Sequence, residues 1–191
     1  MKTFVAAMAA LVLGLASAGV FAMGISLTPS SSQIRVGDHF NLLVGVNDAR
    51  DGVYSADEVI AFGFDVAIGN PLLVSWTGAE VAMPPFSDDL SADLIDTGVA
   101  GLVGAGPGIT DPAFTLAVLH FVATGEGVLD LGIFSNLGDL NEGLIYVTEA
   151  ARDLTAATQV TIQGAGQAPL PGTLVLLIGG LPWLVRRVRG R

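Results

Sequence analysis

The side chains with the most chemistry to offer in this chain are carboxylates. Asn47, Asp48, Asp51, Asp57 and Glu58 fall in one turn-rich stretch, and Asp88, Asp89, Asp93 and Asp96 form a second group. Oxygen-rich loops of this kind hold calcium through carboxylate and carbonyl oxygens. The first stretch is therefore a candidate Ca2+ site, and the second has the same chemistry. The spacing does not follow the EF-hand order, and Gly52 is the only glycine cue, so a solvated turn reads from the same residues. Paired carboxylates can also hydrolyse glycosides, but nothing in the sequence orders a sugar pocket around these.

Other catalytic signals are absent. There is no G-x-S-x-G elbow, no phosphate loop and no H-E-x-x-H pair. With no cysteine, disulfides, thiolate catalysis and zinc–thiolate sites are excluded together. The two histidines, His39 and His120, stand far apart and each falls in a strand-like run. Trp76 could stack on a sugar, but at a strand end it reads first as a core residue. The chain is read as a non-enzyme with no cofactor beyond that candidate Ca2+.

The charge is segregated. All 18 acidic residues lie between Asp38 and Asp153; over residues 35–153 only Arg35, Arg50 and Arg152 oppose them, three positive charges against 18 negative, leaving the middle with a formal charge of −15. Such a domain repels nucleic acid and anionic membranes and stays soluble. The remaining positive residues are Lys2 at one end and Arg186, Arg187, Arg189 and Arg191 at the other.

The elements that must position these residues are strands. Phe40, Leu42, Val44 and Val46 alternate with His39, Asn41, Leu43 and Gly45; Ile60, Phe62, Phe64, Val66 and Ile68 alternate with small or acidic partners. Leu129, Leu131 and Ile133 alternate with Asp130 and Gly132, while the run Ala113–Ala123 is apolar on both faces. Period-two patterns of this kind are half-buried or fully buried strands. Turn chemistry separates them at 47–52, 69–71, 84–85, 104–108 and 124–127. Short helical turns are expected over Asp88–Ile95 and Glu149–Ala157. The whole reads as an all-β sandwich or jelly roll.

Over about residues 25 to 148 the middle resembles a cohesin-like β-sandwich. The resemblance is carried by Val36-Gly37-Asp38-His39-Phe40 entering a long strand and by Ile60–Val66 with its Asp65. It continues through the corner Asn70-Pro71-Leu72-Leu73-Val74 to the late strand Leu116–Phe121 before Gly125-Glu126-Gly127. It implies a protein- or carbohydrate-binding module.

The two ends read as targeting segments. Met1-Lys2, the apolar run Phe4–Leu15 and the small-x-small sites Ala16-Ser17-Ala18 or Val20-Phe21-Ala22 make a secretory signal peptide. The run is shorter than the ~20 residues a bilayer span needs, so removal is expected over retention as an anchor. At the other end Pro169-Leu170-Pro171-Gly172 precedes an apolar stretch and the basic end Arg186-Arg187-Val188-Arg189-Gly190-Arg191. That apolar stretch is Leu174–Val185, and even counted from Leu170 to Val185 it sits at the short limit of a membrane span. The arginines would hold that end on the cytoplasmic side and leave the acidic domain outside.

This order resembles a PEP-CTERM sorting signal of the VPLPA type, with Leu170 where the namesake motif has Glu and Gly172 where the variant has Ala. The resemblance implies recognition by an exosortase-like membrane protease through Pro169, Leu170, Pro171, Gly172 and the cluster Arg186, Arg187, Arg189 and Arg191. A permanent C-terminal anchor is the alternative.

The expected organisation is a signal peptide at 1–22, an ectodomain at 23–163, a linker at 164–168 and a sorting segment at 169–191. The expected function is that of an exported, non-enzymatic surface or extracellular-matrix protein, associated with exopolysaccharide or biofilm. It would be held transiently in the inner membrane and then placed in the cell envelope or outside. The alternative is a cohesin-like module binding a surface protein or polysaccharide. No nucleic-acid partner is expected.

Overall fold

In the run His39–Asn47 every second residue is large and apolar, and Phe40, Leu42, Val44 and Val46 are all buried. A strand places alternate side chains on opposite faces, so this pattern requires one face packed on a core and one in water. The same logic builds the other long strands. The computed structural model describes residues 23–91 and 98–165. The expected signal peptide, the sorting segment, and Asp93 and Asp96 lie outside the described residues.

Eleven strands form among the described residues. In chain order they are β1 (Gly24–Pro29), β2 (Ile34–Arg35), β3 (His39–Asn47), β4 (Val59–Ile68), β5 (Val74–Val81), β6 (Asp88–Asp89), β7 (Gly98–Leu102), β8 (Phe114–Ala123), β9 (Gly127–Phe134), β10 (Gly143–Tyr146) and β11 (Ala156–Gln163). One sheet has four strands in the order β1-β3-β8-β5; the other has seven, in the order β2-β11-β9-β4-β7-β6 with β10 beside β4. All pairings are antiparallel except that of β2 with β11.

β4 organises the larger sheet. Its residues 61–65 pair with β7 on one edge, while the other edge is shared: Asp65–Ile68 pair with β9 and Val59–Gly63 pair with β10. Because β9 and β10 follow each other along that edge, the connecting residues 135–142 leave the sheet. They carry the exposed Leu137 and Leu140.

The two inner faces interdigitate. Phe86 lies edge-on between Phe62 of the larger sheet, 4.7 Å away, and Phe114 of the smaller, 6.2 Å away. Trp76 and Phe40 pack on Phe121 at 5.2 and 5.3 Å. Each such side chain removed from water stabilises the fold by ~1.5–3 kcal/mol.

The all-β sandwich expected from the sequence is the architecture found. Two local expectations are corrected, the first in part. Of Asp88–Ile95, Asp88–Asp89 are not helical but form β6, paired with Leu102 and Gly101 of β7, while Ser91 is in a 3-10 turn and residues 92–95 lie outside the described residues. Residues 149–157 are not helical either: Arg152 makes an isolated bridge to Leu144, and β11 begins at Ala156. Conversely, the turn after β3 contains a 3-10 helix, Gly52–Ala56.

β8 also departs from simple alternation. The register against β3 shifts at Val44/Gly45. Leu116 and Ala117 are consecutive and both buried, after which Leu119, Phe121 and Ala123 face inward. Val118, His120 and Val122 are half-buried on the outer face rather than sealed on both sides.

Candidate functional site

The first expected site, at the turn after β3, is distributed by the fold. Asp57 is 6% exposed and turns its carboxylate toward backbone donors. It accepts the N–H of Glu149 at 2.7 Å, of Thr148 at 3.1 Å and of Glu58 at 2.9 Å. Burial pushes this carboxyl up, but those N–H groups outweigh burial and hold its pKa below the ordinary value. Asp51 pairs with Arg152, whose guanidinium lies 4.8 Å from the Tyr54 ring centre. Glu58 accepts the Gly108 N–H at 2.9 Å. Asn47 and Asp48 are exposed, and Asp48 has a positive φ of 53°.

Asp51, Asp57 and Glu58 thus work as a clasp between loops, which Asn47 and Asp48 do not join. Arg50 completes it by donating to the carbonyls of Asp57, Ser55 and Thr110 at 2.7, 2.8 and 2.5 Å. The Tyr146 hydroxyl donates to the Ala49 carbonyl at 2.5 Å, and burial raises its pKa to about 12 although Arg152 opposes the rise. Among the described residues no group of three or more His, Asp or Glu converges as metal ligands.

The histidines share the outer face of the four-stranded sheet. His39 is exposed. His120 donates through Nδ1 to Asn41 Oδ1 at 3.0 Å, and its Nε2 lies 4.0 Å from the Glu80 carboxylate. Trp76 faces inward onto Phe121 as a partly buried residue, in keeping with its reading as core. Asp88 and Asp89 are exposed on β6.

A trough lies on the outer face of the seven-stranded sheet, where sequence reading placed nothing. Ala61 of β4 is opposite Leu102 of β7 and Ile145 of β10; Gly63 is opposite Ala100 and Gly143. Small residues on the central strand between larger neighbours leave a trough. Asn141 from the 135–142 loop and Leu90 close its sides, giving a cavity of about 300 Å³. Phe134 at the end of β9 and Leu137 and Leu140 in the loop 135–142 are 44%, 50% and 92% exposed. The one sequence signal for this face was the outward set Ala61, Gly63, Asp65 and Ala67, small or acidic where the inward set is bulky.

Turns of the chain fix the loop that borders the trough. Glu142 accepts the Asn136 N–H, Asn136 Oδ1 accepts the Gly138 N–H at 3.0 Å, and Asp139 Oδ1 accepts the Asn141 N–H at 2.9 Å. Side-chain-to-backbone bonds of this kind hold a loop without a core of its own. The apolar side chains of that loop are accordingly left pointing into water.

No protein-family model matches the chain, and no curated protein matches it in sequence. Solved structures do match. A cohesin module from a family 33 glycoside hydrolase of Clostridium perfringens superposes with a TM-score of 0.54 at 12% identity, over 75% of this chain and 96% of that module. The third ScaC cohesin of Acetivibrio cellulolyticus, solved with the ScaB dockerin, gives 0.47 at 8% identity over 74% and 99%. A non-cellulosomal cohesin of the archaeon Archaeoglobus fulgidus gives 0.42 at 13% over 75% and 92%. The sandwich is therefore of the cohesin-like class. At such identity the likeness concerns the fold, and function must be argued from the surface.

Proposed function

We propose that this chain is an exported, non-enzymatic surface protein whose cohesin-like sandwich is a protein-docking module. The observation that carries the docking role is the outer face of the seven-stranded sheet. There an apolar trough is set into β4, β7 and β10, and Phe134 on β9 and Leu137 and Leu140 in the loop 135–142 are exposed. An apolar cleft on an otherwise highly charged domain is a usual place for an interaction site. The Acetivibrio cohesin, solved with a dockerin, is a module of this fold that binds another protein domain.

Export and sorting rest on the two ends of the sequence. The signal peptide directs translocation, the segment Leu174–Val185 halts it, and the arginines from Arg186 onward act as the electrostatic stop. The acidic domain folds outside, and an exosortase-like protease cuts near Pro169–Gly172. The destination is the cell envelope or the extracellular matrix, where the sandwich holds its partner by contact rather than by chemistry.

The test combines mass and fractionation with a surface variant. The native protein is expected outside the inner membrane, without residues 1–18 or 1–22 and without everything after the Pro169–Gly172 region. Its partner is expected to co-purify with the unaltered chain and to be lost from Leu140→Lys. A form that keeps Arg191 in the inner membrane removes sorting from the proposal. A partner retained by Leu140→Lys removes the docking face.

A further inference from the structure

The trough carries more than an apolar contact. No Lys, Arg or His occurs anywhere in residues 59–68, 82–91, 98–102 or 127–146, the segments that build this face and its borders. The same segments hold Asp65, Asp88, Asp89, Asp130, Asp139 and Glu142. Asp88 lies across from Leu102, at the side of the trough formed by β6 and β7. Asp139 and Glu142 belong to the loop on the opposite side.

The three basic residues of the sandwich are committed elsewhere. Arg50 and Arg152 are held in the clasp after β3, and Arg35 is on β2, at the far edge of the sheet. The field over the trough is consequently of one sign, and an apolar floor strengthens it by excluding water.

We propose that the partner's docking element is cationic and aliphatic: one or two aliphatic side chains fill the trough, and flanking Lys or Arg side chains meet Asp88 on one side and Asp139 and Glu142 on the other. This rests on the docking reading given above. The cavity is open and stands at the bottom of the ~300–1,000 Å³ range of ligand pockets. That size suits side chains presented by a helix or turn better than an enclosed small molecule. A glycan is disfavoured by the lining, because Asn141 supplies its one polar side chain and Phe62, its one aromatic, is 1% exposed and packed inward on Phe86.

The electrostatic part has its own signature. Charges around an interface set the association rate more than the lifetime, and salt screens them over ~8–10 Å. The apolar anchor acts on dissociation instead.

The experiment uses the native protein in its host cells with a photo-crosslinking residue at Leu140 or Leu102. The crosslinked segment of the partner is sequenced, and a synthetic peptide of that segment is titrated against the protein purified from the host. The expected segment carries Lys or Arg within about four residues of the crosslinked apolar side chain, one helical turn. Asp88→Lys is expected to weaken the peptide tenfold or more, mainly through slower association. Glu80→Lys makes the same change in net charge on the other sheet, where Glu80 is 78% exposed, and is expected to leave binding unaltered. Ala61→Leu, which fills the trough, is expected to speed dissociation.

A crosslinked segment without Lys or Arg overturns the proposal, as does equal weakening by Asp88→Lys and Glu80→Lys; in both cases the docking face itself stands. A crosslink to polysaccharide overturns it in favour of a glycan partner. No crosslink from either position removes the docking face and this proposal together.

Discussion

The carbonyl of Asn141 lies against the α-carbon of Gly63, so close that a Cβ built at Gly63 would overlap the Asn141 oxygen. This one contact seats the 135–142 loop on the central strand of the larger sheet and forms one side of the trough. Gly63→Ala must displace backbone rather than a flexible side-chain end. Overpacking of this kind costs about 1–3 kcal/mol. A denaturant titration should show a lower midpoint, and hydrogen exchange should show the loss concentrated in residues 135–142. An unchanged midpoint would mean that the loop does not rest on Gly63.

Arg152 ties together elements far apart in sequence. Its ion pair with Asp51 has both side chains less than 20% exposed, at 18% and 16%, and its guanidinium also covers Tyr54. The pair lies between an exposed one, worth ~0–1 kcal/mol, and a buried one, whose breakage costs ~3–5 kcal/mol. Arg152→Met is expected to cost about 2 kcal/mol, and Asp51→Asn a comparable amount. In a double-mutant cycle the two losses should be clearly less than additive. Strict additivity would show that the residues do not act on each other.

Asp57 should make the domain acid-sensitive. Burial raises its carboxyl, but the backbone N–H groups that favour the charged form outweigh it and hold the group below the ordinary carboxyl value in the folded state. A depressed folded pKa contributes stability above the unfolded value, and that contribution disappears as pH falls from the unfolded value through the folded one. Asp57→Asn should therefore be less stable than the parent at pH 7 and lose less on going to pH 2. The comparison is made by thermal unfolding at the two pH values. Parallel losses in the two proteins would assign the acid sensitivity to other carboxylates.

The long strands could be read from the sequence because their signal is local. Alternation in His39–Asn47 mirrors burial residue by residue, and in Val59–Ile68 and Gly127–Phe134 it marks the buried Phe62, Phe64, Val66, Leu129, Leu131 and Ile133. The shift in β8 was invisible because Leu116, Ala117, Val118 and Leu119 are apolar whichever way they point. Asp88–Asp89 and Glu149–Ala157 read as helical because short acidic and Ala-rich runs have that propensity. Pairing with Leu102 and Gly101 of β7, and the Arg152–Leu144 bridge, override it. The trough was unreadable for the same reason: it exists because Asn141 crosses Gly63, a meeting of residues 78 positions apart that no spacing rule announces.

Tyr146 should report from the alkaline side. Its hydroxyl titrates at about 12 instead of 10.0, chiefly because burial disfavours the phenolate. A raised folded pKa gives stability that is complete below the unfolded value and is lost as pH rises from about 10 toward about 12. Tyr146→Phe removes that decline. It also removes the donor to Ala49, a bond worth about 0.5–1.5 kcal/mol at neutral pH. Unfolding curves at pH 7 and pH 11 should cross accordingly, with the variant weaker at pH 7 and less affected at pH 11.

Calcium supplies the last test, because the turn after β3 has the oxygen atoms for it. Binding would require Asp51, Asp57 and Glu58 to release Arg152, the Thr148 and Glu149 N–H groups, and the Gly108 N–H. Those donors would then be left partly buried without partners, a penalty of about 1–3 kcal/mol for each neutral group. A ligand that binds only the folded state raises stability by RT ln(1 + [L]/Kd). Millimolar Ca2+ is accordingly expected to leave the melting temperature within about a degree of its value in chelator, since no net gain remains after the clasp is broken. A rise of several degrees that Asp51→Asn abolishes would mean that the clasp opens to take the ion, and that Arg152 is a placeholder for it.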